Sequence, residues 1–134
     1  MTSIHIPIHL RWSDMDLYHH VNNVTYANYL ESARVEFLAQ HSLDPTVEGY
    51  GQFVARLEID YLAPLTYRSK PVDMELWVSD IGTSSYVINY ELNDGDQVYV
   101  RAKTVMVCVN IEHNIPGRIP QVLRNILDNS TRDH

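Results

Sequence analysis

The feature that most constrains this chain is one change of hydrophobic period. From Val24 to His41, the residues Tyr26, Leu30, Ala33 and Phe37 recur at helical spacing, joined by Tyr29, Val35 and Leu38. Asn28, Glu31, Ser32 and Arg34 take the opposite positions, so the pattern predicts one long helix with a broad apolar stripe. Around it the period is two. Ile4, Ile6, Ile8, Leu10 and Trp12 form one face of a first strand over residues 4–12. Pro7 cannot donate to a ladder, so that strand is expected to have a free side. Four more strands follow the helix. Their inner faces are predicted to be Phe53, Ala55, Leu57, Ile59 and Tyr61; then Met74, Leu76 and Val78; then Tyr86, Ile88, Tyr90 and Leu92. The last strand presents Val98, Val100, Ala102, Thr104, Met106 and Cys108. Its other face turns apolar at Val105, Val107 and Val109, so its far end is expected to be covered on both sides.

The connectors agree with this division. Residues 42–51 (Ser42, Asp44, Pro45, Gly49, Gly51), Pro64–Pro71, Gly82-Thr83-Ser84 and Asn93-Asp94-Gly95-Asp96 read as loops, the last as a hairpin because Asp-Gly accepts positive φ cheaply. Pro116-Gly117 reads as a turn. Pro120 opens a short C-terminal helix with an apolar edge of Leu123, Ile126 and Leu127, and the final residues are expected to be loose. A strand, a long helix and a run of strands joined by short turns make an α+β chain with an antiparallel meander. A five-stranded sheet buries one central helix only by curling around it. The curled sheet keeps an edge strand that must be paired or protected, and dimerisation through that edge is expected.

Composition limits the function. The 134 residues are read as one domain, 1–134, with 45% hydrophobic and 20% charged residues, ordinary for a folded chain. Ten Lys and Arg face seventeen Asp and Glu, a formal net charge of −7 with no basic cluster, which argues against nucleic acid as partner. The lone Cys108 excludes an internal disulfide and a Cys-only metal site, and fits a reducing compartment. The first residues carry no cationic segment followed by an apolar run, and no stretch approaches a membrane span, so a cytoplasmic protein is expected.

The densest cluster of reactive side chains is Arg11-Trp12-Ser13-Asp14-Met15-Asp16-Leu17-Tyr18-His19-His20-Val21-Asn22-Asn23. It lies between a strand end and the helix start, where unpaired N–H groups and the positive dipole end attract an anion or an oxygen becoming one. Two readings stand. In one, these residues are caps and turn formers, with Asn22 or Asn23 capping the helix. In the other, an upstream carboxylate attacks a carbonyl held at the helix start, or activates water to do so.

This cluster, continued by Tyr26, Tyr29-Leu30-Glu31 and Ala33-Arg34, resembles the signature of the hotdog-fold acyl-CoA thioesterases of the 4-hydroxybenzoyl-CoA thioesterase type. The similarity runs on through Tyr61-Leu62-Ala63-Pro64-Leu65, Gly82-Thr83-Ser84-Ser85-Tyr86 and Asp94-Gly95, covering roughly residues 5–125. The resemblance implies a curved antiparallel sheet wrapped around one helix, a homodimer or homotetramer with sites between subunits, and hydrolysis of an acyl-CoA thioester without metal or organic cofactor. It places the catalytic carboxylate at Asp16, as nucleophile or as general base, and the oxyanion donor at the backbone N–H of Asn23. Asp14 is then a scaffold residue. The family usually has glycine where this chain has His19, which implies a different loop or a narrower pocket mouth. An acyl-(acyl carrier protein) thioesterase and a non-catalytic acyl-binding protein are the alternatives.

The remaining candidates are weighed beside this. Tyr18 and Tyr26 flank the helix start and are the tyrosines expected to touch an acyl group. His19 is expected at the substrate. His20 either holds the loop through the backbone or positions substrate or water. The adjacent histidines lack the spaced acidic partner of a zinc hydrolase, so no metal site is assigned. The resemblance implies that Ser85 lines the pocket; the alternative is a turn hydroxyl bonding its own backbone. Ser84 and Ser85 lack a nucleophile elbow, and Cys108 reads as a core residue. Arg56, Arg68, Lys70, Arg101 and Lys103 are candidate contacts for coenzyme A phosphates or solvated strand cations.

Overall fold

A computed structural model describes residues 3–41 and 48–132. The chain runs β1 (Ile4–Ile8), a 3₁₀ turn (Trp12–Asp14), α1 (Thr25–Gln40), β2 (Tyr50–Tyr61), β3 (Val72–Ser79), β4 (Ser85–Asn93), β5 (Val98–Asn110), β6 (Ile115–Pro116) and α2 (Gln121–Asp128). The strands form one antiparallel sheet in the order β1-β3-β4-β5-β2, and β6 adds to β5. β1 pairs only with β3, which gives Pro7 the free side it requires. Most of the 42–51 loop lies outside the described residues; Gly51 already belongs to β2.

The predicted faces hold for most elements. Tyr26, Tyr29, Leu30, Ala33 and Phe37 of α1 are buried against Met74, Leu76 and Val78 of β3, Tyr86, Ile88, Tyr90 and Leu92 of β4, and Val100, Thr104, Met106 and Cys108 of β5 in one core. Leu123 and Leu127 of α2 complete it. Val105, Val107 and Val109 on the opposite face of β5 are half-buried.

Four details differ from the sequence pattern. The first strand ends at Ile8, and Trp12 is 68% exposed because the chain has already turned into the 3₁₀ segment. In β2 the ladder slips between Val54 and Arg56, leaving Ala55 as the extra residue of a bulge. Directly opposed residues point to one side. Gln52 and Val54, opposite the buried Cys108 and Met106, therefore face inward before the bulge, and Leu57, Ile59 and Tyr61 face inward after it. Phe53, read as inner, lies opposite Val107 on the outer face. The sheet has six strands rather than five, because Ile115 and Pro116 pair with Asn110 and Val109 after a turn through the positive-φ Asn114; two residues are too few to show a period. The C-terminal segment is docked through Arg132, not loose. Ser130 is buried, its carbonyl accepts the Val78 N–H (2.9 Å), and the Arg132 guanidinium lies 4.2 Å over the Trp77 ring. Residues 133–134 lie outside the described residues.

Candidate active site

The reactive cluster folds into a small ribbon. Asp16 N–H donates to the His20 carbonyl (2.7 Å), Met15 bridges Val21, and Asn22 N–H donates to the Asp14 carbonyl (3.0 Å). The loop at Asp16 and the start of α1 are thus one hydrogen-bonded unit. A second loop backs it: Val21 N–H donates to the Leu65 carbonyl (2.8 Å) and His20 bridges Thr66.

The two aspartates of the ribbon differ in kind. Asp14 is 4% exposed. Its Oδ2 accepts from Tyr29 Oη (2.7 Å) and Arg11 N–H (3.0 Å), and its Oδ1 from the Arg11 guanidinium (3.0 Å to Nη2). Burial works against the charge, but the bonds from Tyr29 and Arg11 outweigh it and hold the carboxyl below its ordinary value. Tyr29 is pushed up in turn, by burial and by Asp14. This carboxylate is saturated and closed to substrate, as the scaffold role requires. Asp16 is half-buried. Its Oδ1 accepts from the backbone N–H of Tyr18 (2.8 Å) and of His20 (3.3 Å), while among the described residues nothing donates to Oδ2. One oxygen is fixed and the other is available.

At the helix start, Asn22 makes the turn. Its side-chain oxygen accepts from Val24 N–H (3.0 Å) and its carbonyl from Thr25 N–H (2.9 Å). Asn23 is exposed, and its N–H meets no acceptor among the described residues. Its carbonyl accepts from Tyr61 Oη (3.2 Å). Tyr26 is buried beside it, with rings of Tyr61 and Tyr29 at 5.5 and 6.0 Å. Its phenol is pushed up to about 12, first by burial, then by Tyr61, Asp16 and Tyr99.

The other predicted residues are placed as follows. Tyr18 is 75% exposed; the apolar Trp12, Leu17 and Val24 along the same stretch are exposed too, as is Tyr67, whose ring packs edge-on to Trp12 at 5.7 Å. His19 is exposed at φ +63°, the left-handed conformation that the usual glycine would take. His20 is half-buried and tied by backbone bonds. Ser85 is not brought to this cluster within one chain. Leu92 shares a row with Val100 and Tyr61, whereas Ser85 shares one with Val107 and Phe53, and the seven steps between them span about 23 Å. Of the sheet cations, Arg56, Arg68 and Arg101 each pair with a carboxylate (Glu58, Asp94 and Glu91). Tyr61 is not among the site residues expected from the sequence, where it ends an alternating strand and opens the Tyr61–Leu65 stretch of the resemblance. Among the described residues no group of three or more His, Cys, Asp or Glu is placed to hold a metal.

The arrangement presents a carboxylate oxygen and an unused amide donor at a positive helix end. It can polarise a carbonyl and deliver a nucleophile to it. Comparison with known proteins points the same way. Residues 10–127 match the model of the thioesterase-like superfamily. The chain is 31% identical to the PA5185 protein of Pseudomonas aeruginosa, covering 97% of this chain and 92% of that one with a TM-score of 0.87. It is 33% identical to the PA2801 protein of the same organism, named as a candidate thioesterase, over 92% and 95% of the two chains (TM-score 0.81). At 17% identity it shares its fold with Slr0204 of Synechocystis, a 1,4-dihydroxy-2-naphthoyl-CoA thioesterase, over 96% of both chains (TM-score 0.81). No curated protein matches the chain. The sheet, the central helix and these neighbours make the fold a hotdog fold.

Proposed function

The chain belongs to the thioesterase-like superfamily, and we propose that this thioester hydrolase cleaves acyl-CoA to a free acid and coenzyme A, in the manner of the 4-hydroxybenzoyl-CoA thioesterase type. The observation that carries this reading is the pairing of a half-free carboxylate with an unused donor. Asp16 Oδ2 and the Asn23 N–H have no partners among the described residues, and they belong to one hydrogen-bonded ribbon at the start of α1.

The chemistry follows from that pairing. The thioester carbonyl oxygen rests on the Asn23 N–H, where the helix dipole favours the negative charge that develops. Asp16 either attacks the carbonyl carbon, giving an acyl-enzyme that water then hydrolyses, or takes a proton from the attacking water. On both routes the C–S bond breaks, the thiolate leaves as coenzyme A, and one water is consumed. The Tyr18 and His20 N–H groups hold the other carboxylate oxygen so that the reacting one is aimed. Asp14 and Tyr29 hold the ribbon on α1, and Tyr26, Tyr18, His19 and His20 border the acyl group. No cofactor enters this scheme. The reading includes a cytoplasmic homodimer or homotetramer. β2 supports the oligomer: it is a sheet edge of twelve residues carrying exposed Phe53, Val54, Leu57 and Tyr61.

The test is free-thiol release from a panel of aliphatic and aromatic acyl-CoAs, run beside the matching acyl-(acyl carrier protein) substrates. Turnover of at least one acyl-CoA, faster than its carrier-protein counterpart, is expected. Tight binding of every thioester without thiol release would make the chain a binder instead.

A further inference from the structure

α1 and β2 approach each other at two places. Asn23 meets Tyr61 at one, and Arg34, Val35 and Leu38 face Gln52 and Val54 at the other. At the second place a cleft of about 340 Å³ opens, lined also by Tyr86, Ile88 and Met106. Its walls are mostly apolar, yet it holds two donors that the chemistry above does not use. Arg34 is half-buried. Its Nη1 donates to Tyr90 Oη (3.2 Å), and among the described residues no carboxylate pairs with it, although Glu31 stands in the same cleft. Gln52 turns its side-chain oxygen to two donors, Tyr86 Oη (3.2 Å) and the Cys108 thiol (3.1 Å). Its Nε2 is buried with no acceptor among the described residues. Buried donors are rarely left in that condition.

We propose that this cleft receives the far end of the substrate's acyl group, and that this end carries an oxygen, as hydroxyl or carboxylate, for Arg34 and Gln52. The inference rests on the thioesterase reading above and names its substrate class. Arg34 is the open contact; the buried Gln52 amide is reached as the chain end pushes inward. The nine steps from Thr25 to Arg34 alone span about 14 Å of helix, so a carbonyl on the Asn23 N–H needs an extended chain to reach the guanidinium. A plain alkyl end would desolvate Arg34, leaving the guanidinium only its bond to Tyr90 Oη, and would give Gln52 Nε2 no acceptor. Sites built to hydrogen-bond a substrate group discriminate strongly against the analogue that lacks it.

The experiment measures thiol release from dodecanoyl-CoA, ω-hydroxydodecanoyl-CoA and the mono-CoA thioester of dodecanedioic acid, with acetyl-CoA and benzoyl-CoA alongside. At least one oxygenated chain is expected to exceed dodecanoyl-CoA in kcat/KM by about tenfold or more. That ratio should fall toward one in Arg34→Met and in Gln52→Leu, and Arg34→Lys should keep part of it for the carboxylate. If Arg34→Met does not fold, the wild-type ratio and Gln52→Leu decide. Equal or faster turnover of dodecanoyl-CoA than of both oxygenated chains overturns the inference and leaves thioester hydrolysis standing. Turnover confined to acetyl-CoA or benzoyl-CoA overturns it likewise. No thiol release from any of the five overturns it together with the functional reading.

Discussion

The Tyr29 hydroxyl donates to Oδ2 of Asp14 across 2.7 Å, fastening the buried face of α1 to the turn that leads into Asp16. Both residues are buried, so removing the donor leaves a carboxylate with one fewer partner where water cannot replace it. Tyr29→Phe should lower unfolding free energy by about 1–3 kcal/mol, measured by urea denaturation. Because the same turn positions Asp16, kcat should fall more than KM rises. An unchanged stability would show that the bond does not anchor the ribbon.

The Asp14 carboxyl also sets a pH dependence. Burial opposes its charge, and Tyr29 and Arg11 more than compensate, so its folded value lies below that of the unfolded chain, about 3.8. Its contribution to stability is therefore fully present above that value. It is lost as pH falls through the lower folded value. The stability gap between wild type and Asp14→Asn, followed by urea titration in steps from about pH 7 to pH 3, should be widest at neutral pH and narrow at the acid end. A gap that widens with acid would contradict the assignment.

His19 stands at φ +63°, where a glycine costs no steric strain. If the histidine supplies bulk and not chemistry, His19→Gly should keep the folded stability within about 1 kcal/mol and retain thiol release. His19→Val places a β-branched side chain in the left-handed region and should destabilise by about 1–2 kcal/mol. Loss of activity in the glycine variant with the fold intact would make His19 a chemical participant.

The exposed length of β2 gives a fourth expectation. A charge placed on the edge strand at Leu57, which is 42% exposed, should weaken pairing between copies. Sedimentation equilibrium should return two or four chain masses for wild type and a shift toward one for Leu57→Lys. A wild-type monomer would remove the oligomer from the account.

Much of this architecture was legible because burial and period coincide. Ile6, Ile8, Met74, Leu76, Val78, Tyr86, Ile88, Tyr90 and Leu92 are all buried where alternation put them, and the helix stripe from Tyr26 to Phe37 is the inner face of α1. The β2 pattern misled because a bulge at Ala55 changes the face without changing the residue types, so Phe53 and Leu57 look equivalent in sequence and lie on opposite sides. The distinction between Asp14 and Asp16 came from motif resemblance alone. Nothing in two aspartates spaced by one residue says that Tyr29, fifteen positions on, would close over the first. Ser85 shows the converse limit. Order along the chain places it in a family turn, but only the register reveals that it sits about 23 Å along the sheet from the row of Tyr61. In one dimension Arg34 reads as a polar-face and signature residue of the helix and Gln52 as a loop neighbour; nothing there says that the two share a cleft.

The most direct measurement is thiol release by Asp16→Asn on the best acyl-CoA of the panel. The side chain keeps its size and can still accept from the Tyr18 and His20 N–H groups, so the fold and the assembly state should persist. A fall in kcat of about 10²–10⁴-fold is expected, the usual worth of a positioned acid–base group. A folded Asp16→Asn protein with wild-type turnover would contradict the catalytic role of Asp16.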